Sequence, residues 1–230
     1  MALILHIETA TTVCSVALAK DGVLLSLKEQ NGDYSHAENL TVFIEDVLQQ
    51  AKTTISEIDA FAVSKGPGSY TGLRIGVSTA KGLCYSLDKP LIAVDTLQYM
   101  AMAVLSKFNI ETPEAFYVPM LDARRMEVYS AIFSAGGKRI RETQAEIIDE
   151  TSFHTLLKEH PVVFFGDGAL KCKSVLSYTS NAMFLADIVP SAKDMIALSE
   201  KAFSEKQFED VAYFEPYYLK DFVAGKKKGE

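Results

Sequence analysis

Short apolar runs over residues 3–9 and 13–19 read as two strands, and Asp21-Gly22 between 13–19 and 23–28 is a hairpin signal into a third. The period then changes. Ser35-His36-Ala37-Glu38 has capping-box spacing, and Leu40, Phe43, Ile44, Val47, Leu48 and Ala51 follow at the 3–4 spacing of one helix face. A short buried strand over 61–64 leads into the turn Gly66-Pro67-Gly68 and a helix over 69–87. A strand over 90–94 and a helix over 96–108 complete this part of the chain.

The same order returns afterwards. Strands are predicted over 116–121 and 127–133, with Gly136-Gly137 as the hairpin turn into a third strand near 140–143. A short helix near 152–159, a strand over 162–165 and a helix near 192–204 follow. Glu8 and Asp122 fall at matching places, each just after the first strand of its half. The simplest architecture is α/β with two similar βββαβα-type halves, 1–110 and 111–230.

Composition narrows the function classes. The 230 residues are 48% hydrophobic and 23% charged, as in an ordinary globular protein. The net charge of −7 argues against a chain that grips nucleic acid alone, because phosphate neutralisation supplies most of that affinity. Lys226, Lys227 and Lys228 are the one basic cluster and read as a solvated tail. No apolar run approaches a membrane span, and MALILHIETA lacks a basic flank and a cleavage signal, so the expected location is the cytoplasm. Cys14, Cys84 and Cys172 are too far apart for a CxxC pair and read as small buried hydrophobes.

The helix over 69–87 is the most informative segment. Gly72, Gly76 and Gly82 each cost a helix interior about 1 kcal/mol relative to alanine, so something approaches it closely. Arg74, Ser78, Lys81 and Tyr85 form a polar stripe; Leu73, Val77, Cys84 and Leu87 form an apolar face; Gly72, Gly76 and Ala80 line a groove between. That groove fits either the capping-box helix of the same chain or a partner protein. The turn before it lacks the lysine and hydroxyl of a P-loop and the spacing of a dinucleotide fingerprint. His6, His36, His154 and His160 form no metal-ligand pattern, and His6 reads as a core or edge residue. Glu8 and Asp122 fit acid/base or Mg²⁺-linked carboxylates in a cleft, or local turn caps. Gly166-Asp167-Gly168 resembles the second-half turn by which actin-like folds approach a nucleotide.

Together, ILHIETATTVCSVALAKDGVLL, SHAENL, KGPGSYTGLRIGVSTAKGL and the tail PYYLKDFVAGKKKGE resemble the bacterial TsaB proteins, also called YeaZ, nearly end to end. The resemblance implies the duplicated actin-like fold (the ASKHA, ribonuclease H-like class). It also implies the role of a subunit that pairs with TsaD in forming N6-threonylcarbamoyladenosine at position 37 of tRNAs reading codons that begin with A. TsaD proteins carry a metal-binding HxxxH after a similar helix and strand; here those places fall at about Thr96 and Met100 in AVDTLQYMAMA. Threonine is rarely a transition-metal ligand and a lone thioether suits soft ions, so the expectation is no catalytic residue and no metal.

The family's interface is implied to be a bundle of the first two helices of each partner, here 35–51 and 69–87. The partner-facing candidates are His36, Leu40, Gly68, Thr71, Gly72, Ile75, Gly76 and Thr79. A bulky residue at Gly76 is expected to abolish pairing if the groove faces the partner. Expected partners are TsaD directly, TsaE in a ternary complex, tRNA through the complex only, and a second copy when alone. No resident cofactor is expected, with ATP or ADP at the partner interface left open. The competing reading is a nucleotide hydrolase or metal-dependent peptidase using a cleft at Glu8, Asp122, Gly166 and Gly168.

Overall fold

The computed structural model describes residues 2–32, 36–108 and 114–220. Strands β1 (Leu3–Glu8), β2 (Val13–Lys20) and β3 (Val23–Asn31) precede helix α1 (His36–Gln50); then come β4 (Ala60–Gly66), α2 (Tyr70–Leu87), β5 (Leu91–Asp95) and α3 (Thr96–Lys107). The second series is β6 (Phe116–Asp122), β7 (Glu127–Ser134), β8 (Arg139–Ile147), α4 (His154–Glu159), β9 (Val162–Phe165), α5 (Ala169–Leu176), β10 (Ala182–Leu185) and α6 (Ile196–Ser204). Ser35 of the expected capping box and the tail lysines lie outside the described residues.

The duplication is exact in topology. One sheet runs β3-β2-β1-β4-β5 and the other β8-β7-β6-β9-β10, each with two antiparallel and two parallel pairings. Asp21 (φ 51°) and Gly22 (φ 76°) supply the left-handed backbone that a two-residue hairpin turn requires. Two elements, α5 and β10, were not expected. They complete the second half as counterparts of α2 and β5.

Alternation along β1 decides what each face meets. Leu5 and Ile7 point into a core under α1 and α2, while Ile4 belongs to a core shared by both sheets. That shared core holds Leu97, Tyr99 and Met100 of α3, Tyr117 and Phe133 of the second sheet, and Ala192 and Met195 just before α6. Burying an aromatic side chain of this size contributes up to about 3 kcal/mol. Helix α3 packs on β4 and β5 and also reaches β6 and β7, whereas α6 returns to β1 and β5. The two halves are therefore laced by an exchange of helices. None of the described helices is long and apolar enough to cross a membrane.

Candidate functional site

In both halves a glycine turn after the fourth strand packs onto the end of the first. Ser69 N donates to Ala10 O at 2.6 Å, and Gly168 N donates to Met120 O at 3.0 Å. A Cβ at Gly68 would lie 2.3 Å from Ala10 O, and one at Gly166 would lie 2.2 Å from Met120 O. These glycines are required by backbone-on-backbone packing.

Between these turns lies a cleft of about 360 Å³. Its walls are the β1–β2 turn with Thr11 and Thr12, the glycine turn and start of α2 from Gly68 to Thr71, the β6–β7 turn with Asp122 and Arg124, and Asp167. Residues Tyr217 to Lys220 complete the lining. Asp122 Oδ1 accepts Arg124 N at 2.8 Å and is also bridged by Lys171 Nζ, so its charge is matched. Arg124 has φ 74° and its guanidinium has no ion-pair partner among the described residues.

Glu8 does not reach this cleft. It is fully buried, its two carboxyl oxygens accepting Ala10 N and the Tyr99 hydroxyl of α3. Desolvation pushes its carboxyl up to about 7, against the pull of those hydrogen bonds. The expected pairing of Glu8 with Asp122 across an open cleft is thereby corrected: one carboxyl lines the space and the other is sealed behind Tyr99. Gly166 and Gly168 are also buried in packing and offer no surface to a ligand. His6, two residues before Glu8 on the same face, is buried with Nε2 2.6 Å from Ser199 Oγ of α6 and Nδ1 3.3 Å from Ala17 O. Desolvation lowers its imidazole to about 4, so the ring is neutral.

The expected partner surface separates in two. Gly72 and Gly76 are buried, and Thr9 of the same chain fills their groove: a Cβ at Gly72 would sit 2.1 Å from Thr9 O, and one at Gly76 2.2 Å from Thr9 Oγ1. The expectation that a partner enters this groove is corrected; the close approach is internal. His36 and Leu40 are corrected likewise, since His36 is buried with Nε2 2.7 Å from Thr11 O and Leu40 is core. Gly68 is half-buried against Ala10. Thr71, Ile75 and Thr79 remain accessible or half-accessible. The exposed stripe runs Thr71, Arg74, Ser78, Gly82 and Tyr85, which keeps Arg74, Ser78 and Tyr85 of the expected polar stripe and adds Thr71 and Gly82. Tyr85 is 86% exposed, and a Cβ on Gly82 would meet none of the described residues within 4 Å.

The family model described as "TsaD: tRNA N6-adenosine threonylcarbamoyltransferase" matches residues 30–228. A protein of Escherichia coli strain K12, named tRNA threonylcarbamoyladenosine biosynthesis protein TsaB, is 34% identical over 234 residues, covering 97% of each chain. The chain belongs to the TsaB family. Its fold agrees with a crystal structure of a protein from Pseudomonas aeruginosa with similarity to peptidase YeaZ, at TM-score 0.82 and 24% identity, covering 96% of this chain and 100% of that one. The activator of 2-hydroxyisocaproyl-CoA dehydratase from Clostridium difficile shares the fold more distantly, at TM-score 0.50 and 9% identity, covering 90% and 98%. The TsaB fold here is thus the duplicated actin-like one, and the TsaD-type sequence match begins at the end of β3 and continues through the second half.

Proposed function

We propose that the chain serves tRNA threonylcarbamoyladenosine biosynthesis as a non-catalytic subunit that pairs with a TsaD-type transferase and keeps it active. The observation that carries this reading is the state of Thr96 and Met100, at about which the resemblance puts the transferase's metal-binding histidine pair. Both are buried, and Met100 Cε lies 3.3 Å from where a Cβ on Gly166 would stand. They act as core in the first two turns of α3, where a hydroxyl and a lone thioether make a poor donor set for a transition-metal ion. The sealed Glu8 weighs against a hydrolase in the cleft for the same reason: an acid or base must reach the proton it moves.

The surface proposed for the partner is the open stripe of α2, beside α1, which exposes Val42 to 50%. Among the described residues, Gly82 is the one glycine of the helix that no neighbouring side chain or backbone explains, as expected where another helix approaches closely. Alone, the chain is expected to pair with a second copy through this face, since a self-complementary patch closes readily into a two-fold dimer.

Ser78→Arg places a long charged side chain in the middle of the stripe. The expected result is loss of co-purification with the transferase, with the melting temperature within about 2 °C of the parent, since exposed substitutions change stability by about 0.5 kcal/mol or less. Undiminished co-purification would remove this face from the interface.

A further inference from the structure

Beyond α6 the chain returns to the first half and lies along α2. Glu209 N donates to Leu91 O at 2.9 Å beside β5, and Tyr217 N donates to Lys65 O at 2.7 Å at the end of β4. Between these two points the Lys81 ammonium of α2 donates to the carbonyl oxygens of Ala212 and Phe214, at 3.2 and 2.8 Å. Val211 and Phe214 pack on the core under α1 and α2. Lys81 and Tyr85, four residues apart, share one side of α2, so this contact sets the segment directly beside the open stripe.

The segment turns an aromatic side chain outward from a fixed backbone. Asp210 Oδ1 accepts Ala212 N at 2.8 Å and Tyr213 N at 3.2 Å, and Asp210 O accepts Phe214 N at 2.8 Å. Tyr213 is therefore held in a capped turn, yet it is 84% exposed. Tyr85 is equally open. Tyr70, Tyr85, Tyr213, Tyr217 and Tyr218, half of the chain's ten tyrosines, stand on α2 or on this segment, and tyrosine is a residue type that protein interfaces favour at their anchors. The α2 stripe alone is too small for a lasting pair. Thr71, Ser78 and Gly82 have small side chains or none, whereas an interface of standard size takes about 800 Å² and about 20–30 residues a side. The adjoining segment makes up the shortfall and brings the large side chains.

We propose that residues 209–218 form a third element of the pairing surface, beside α1 and α2, and that the TsaD-type transferase covers Tyr213 together with the α2 stripe. The proposal rests on the pairing role inferred above. Lys81 is then a positioning residue, which fixes the segment against the stripe. A ring already held on a capped turn loses little freedom on binding, so its burial adds to affinity nearly undiminished.

The test is calorimetric binding of the purified transferase to the full chain and to its Tyr213→Ala, Lys81→Met and Ser78→Arg variants, with thermal melting confirming that each is folded. Tyr213→Ala is expected to weaken binding about tenfold or more at an unchanged melting temperature. Lys81→Met is expected to weaken binding as well, and to speed proteolytic cleavage within 209–218. Parent-like binding by Tyr213→Ala overturns the proposal. If Ser78→Arg has lost binding in the same series, the α2 pairing face still stands; if Ser78→Arg also binds like the parent, the pairing face falls with it. Weakened self-association with unchanged transferase binding overturns the proposal too.

Discussion

Gly72→Ala lowers the stability of the isolated chain by about 2 kcal/mol, with no partner present. The new Cβ would lie 2.1 Å from the carbonyl oxygen of Thr9. Both atoms are fixed to backbone, one in α2 and one at the end of β1, so relief requires the helix to move on the sheet. Overpacking of this kind costs about 1–3 kcal/mol and sometimes more, which exceeds the gain of about 1 kcal/mol from alanine's helix propensity. Gly76→Ala is milder, because the atom it meets is the Thr9 hydroxyl, a side chain that can turn. Gly76→Phe has no such escape and destabilises the fold itself, so lost pairing in that variant reports on folding and not on an interface. Gly82→Ala, with open space around it, is neutral or slightly stabilising. Urea unfolding of the three alanine variants checks the ranking; equal stabilities would mean that Thr9 does not fill the groove.

The second large effect is on pH dependence. Between the usual 4.5 and about 7, the folded chain keeps a proton on Glu8 that the unfolded chain gives up, so this group's contribution falls as pH rises through that window. His6 acts oppositely. Between the usual 6.5 and about 4, the unfolded chain takes up a proton that the buried imidazole refuses, so its contribution falls as pH is lowered. Each slope is about 1.4 kcal/mol per pH unit at most, and across the shared window they cancel. Glu8→Gln removes one of the two. Relative to the parent, its stability should rise by about 3 kcal/mol from pH about 4.5 to about 7, read by urea unfolding across that range. Parallel profiles for parent and variant would show that Glu8 is not sealed as described.

The same buried row explains what the sequence could and could not disclose. Ile4, His6 and Glu8 lie on one face of β1, but whether Glu8 opens on a cleft depends on Tyr99, 91 residues away along the chain. His6 likewise meets Ser199 across 193 residues. Local pattern carries no trace of such partners. The strands and long helices were legible because each has one continuous apolar side. Helix α5 is only eight residues, though its buried Ala169, Cys172 and Leu176 already hold helical spacing. Strand β10 has four half-buried residues, and β8 is an edge strand that buries only Thr143, so neither shows a clean period. Glycines on α2 disclosed that something comes close, yet identical spacing suits an external helix and an internal turn. The distances to Thr9 separate them, and leave Gly82 and its stripe as the open face of α2.

In the role proposed for it, this chain activates a transferase without doing chemistry. The most direct measurement is threonylcarbamoyl transfer to tRNA by the TsaD-type enzyme, supplied with ATP and the carbamoyl donor, with and without the intact chain. Transfer that depends on the chain, and survives Glu8→Gln in a folded sample, is the predicted result. Equal transfer in its absence, or turnover by the chain alone, would rule out that role.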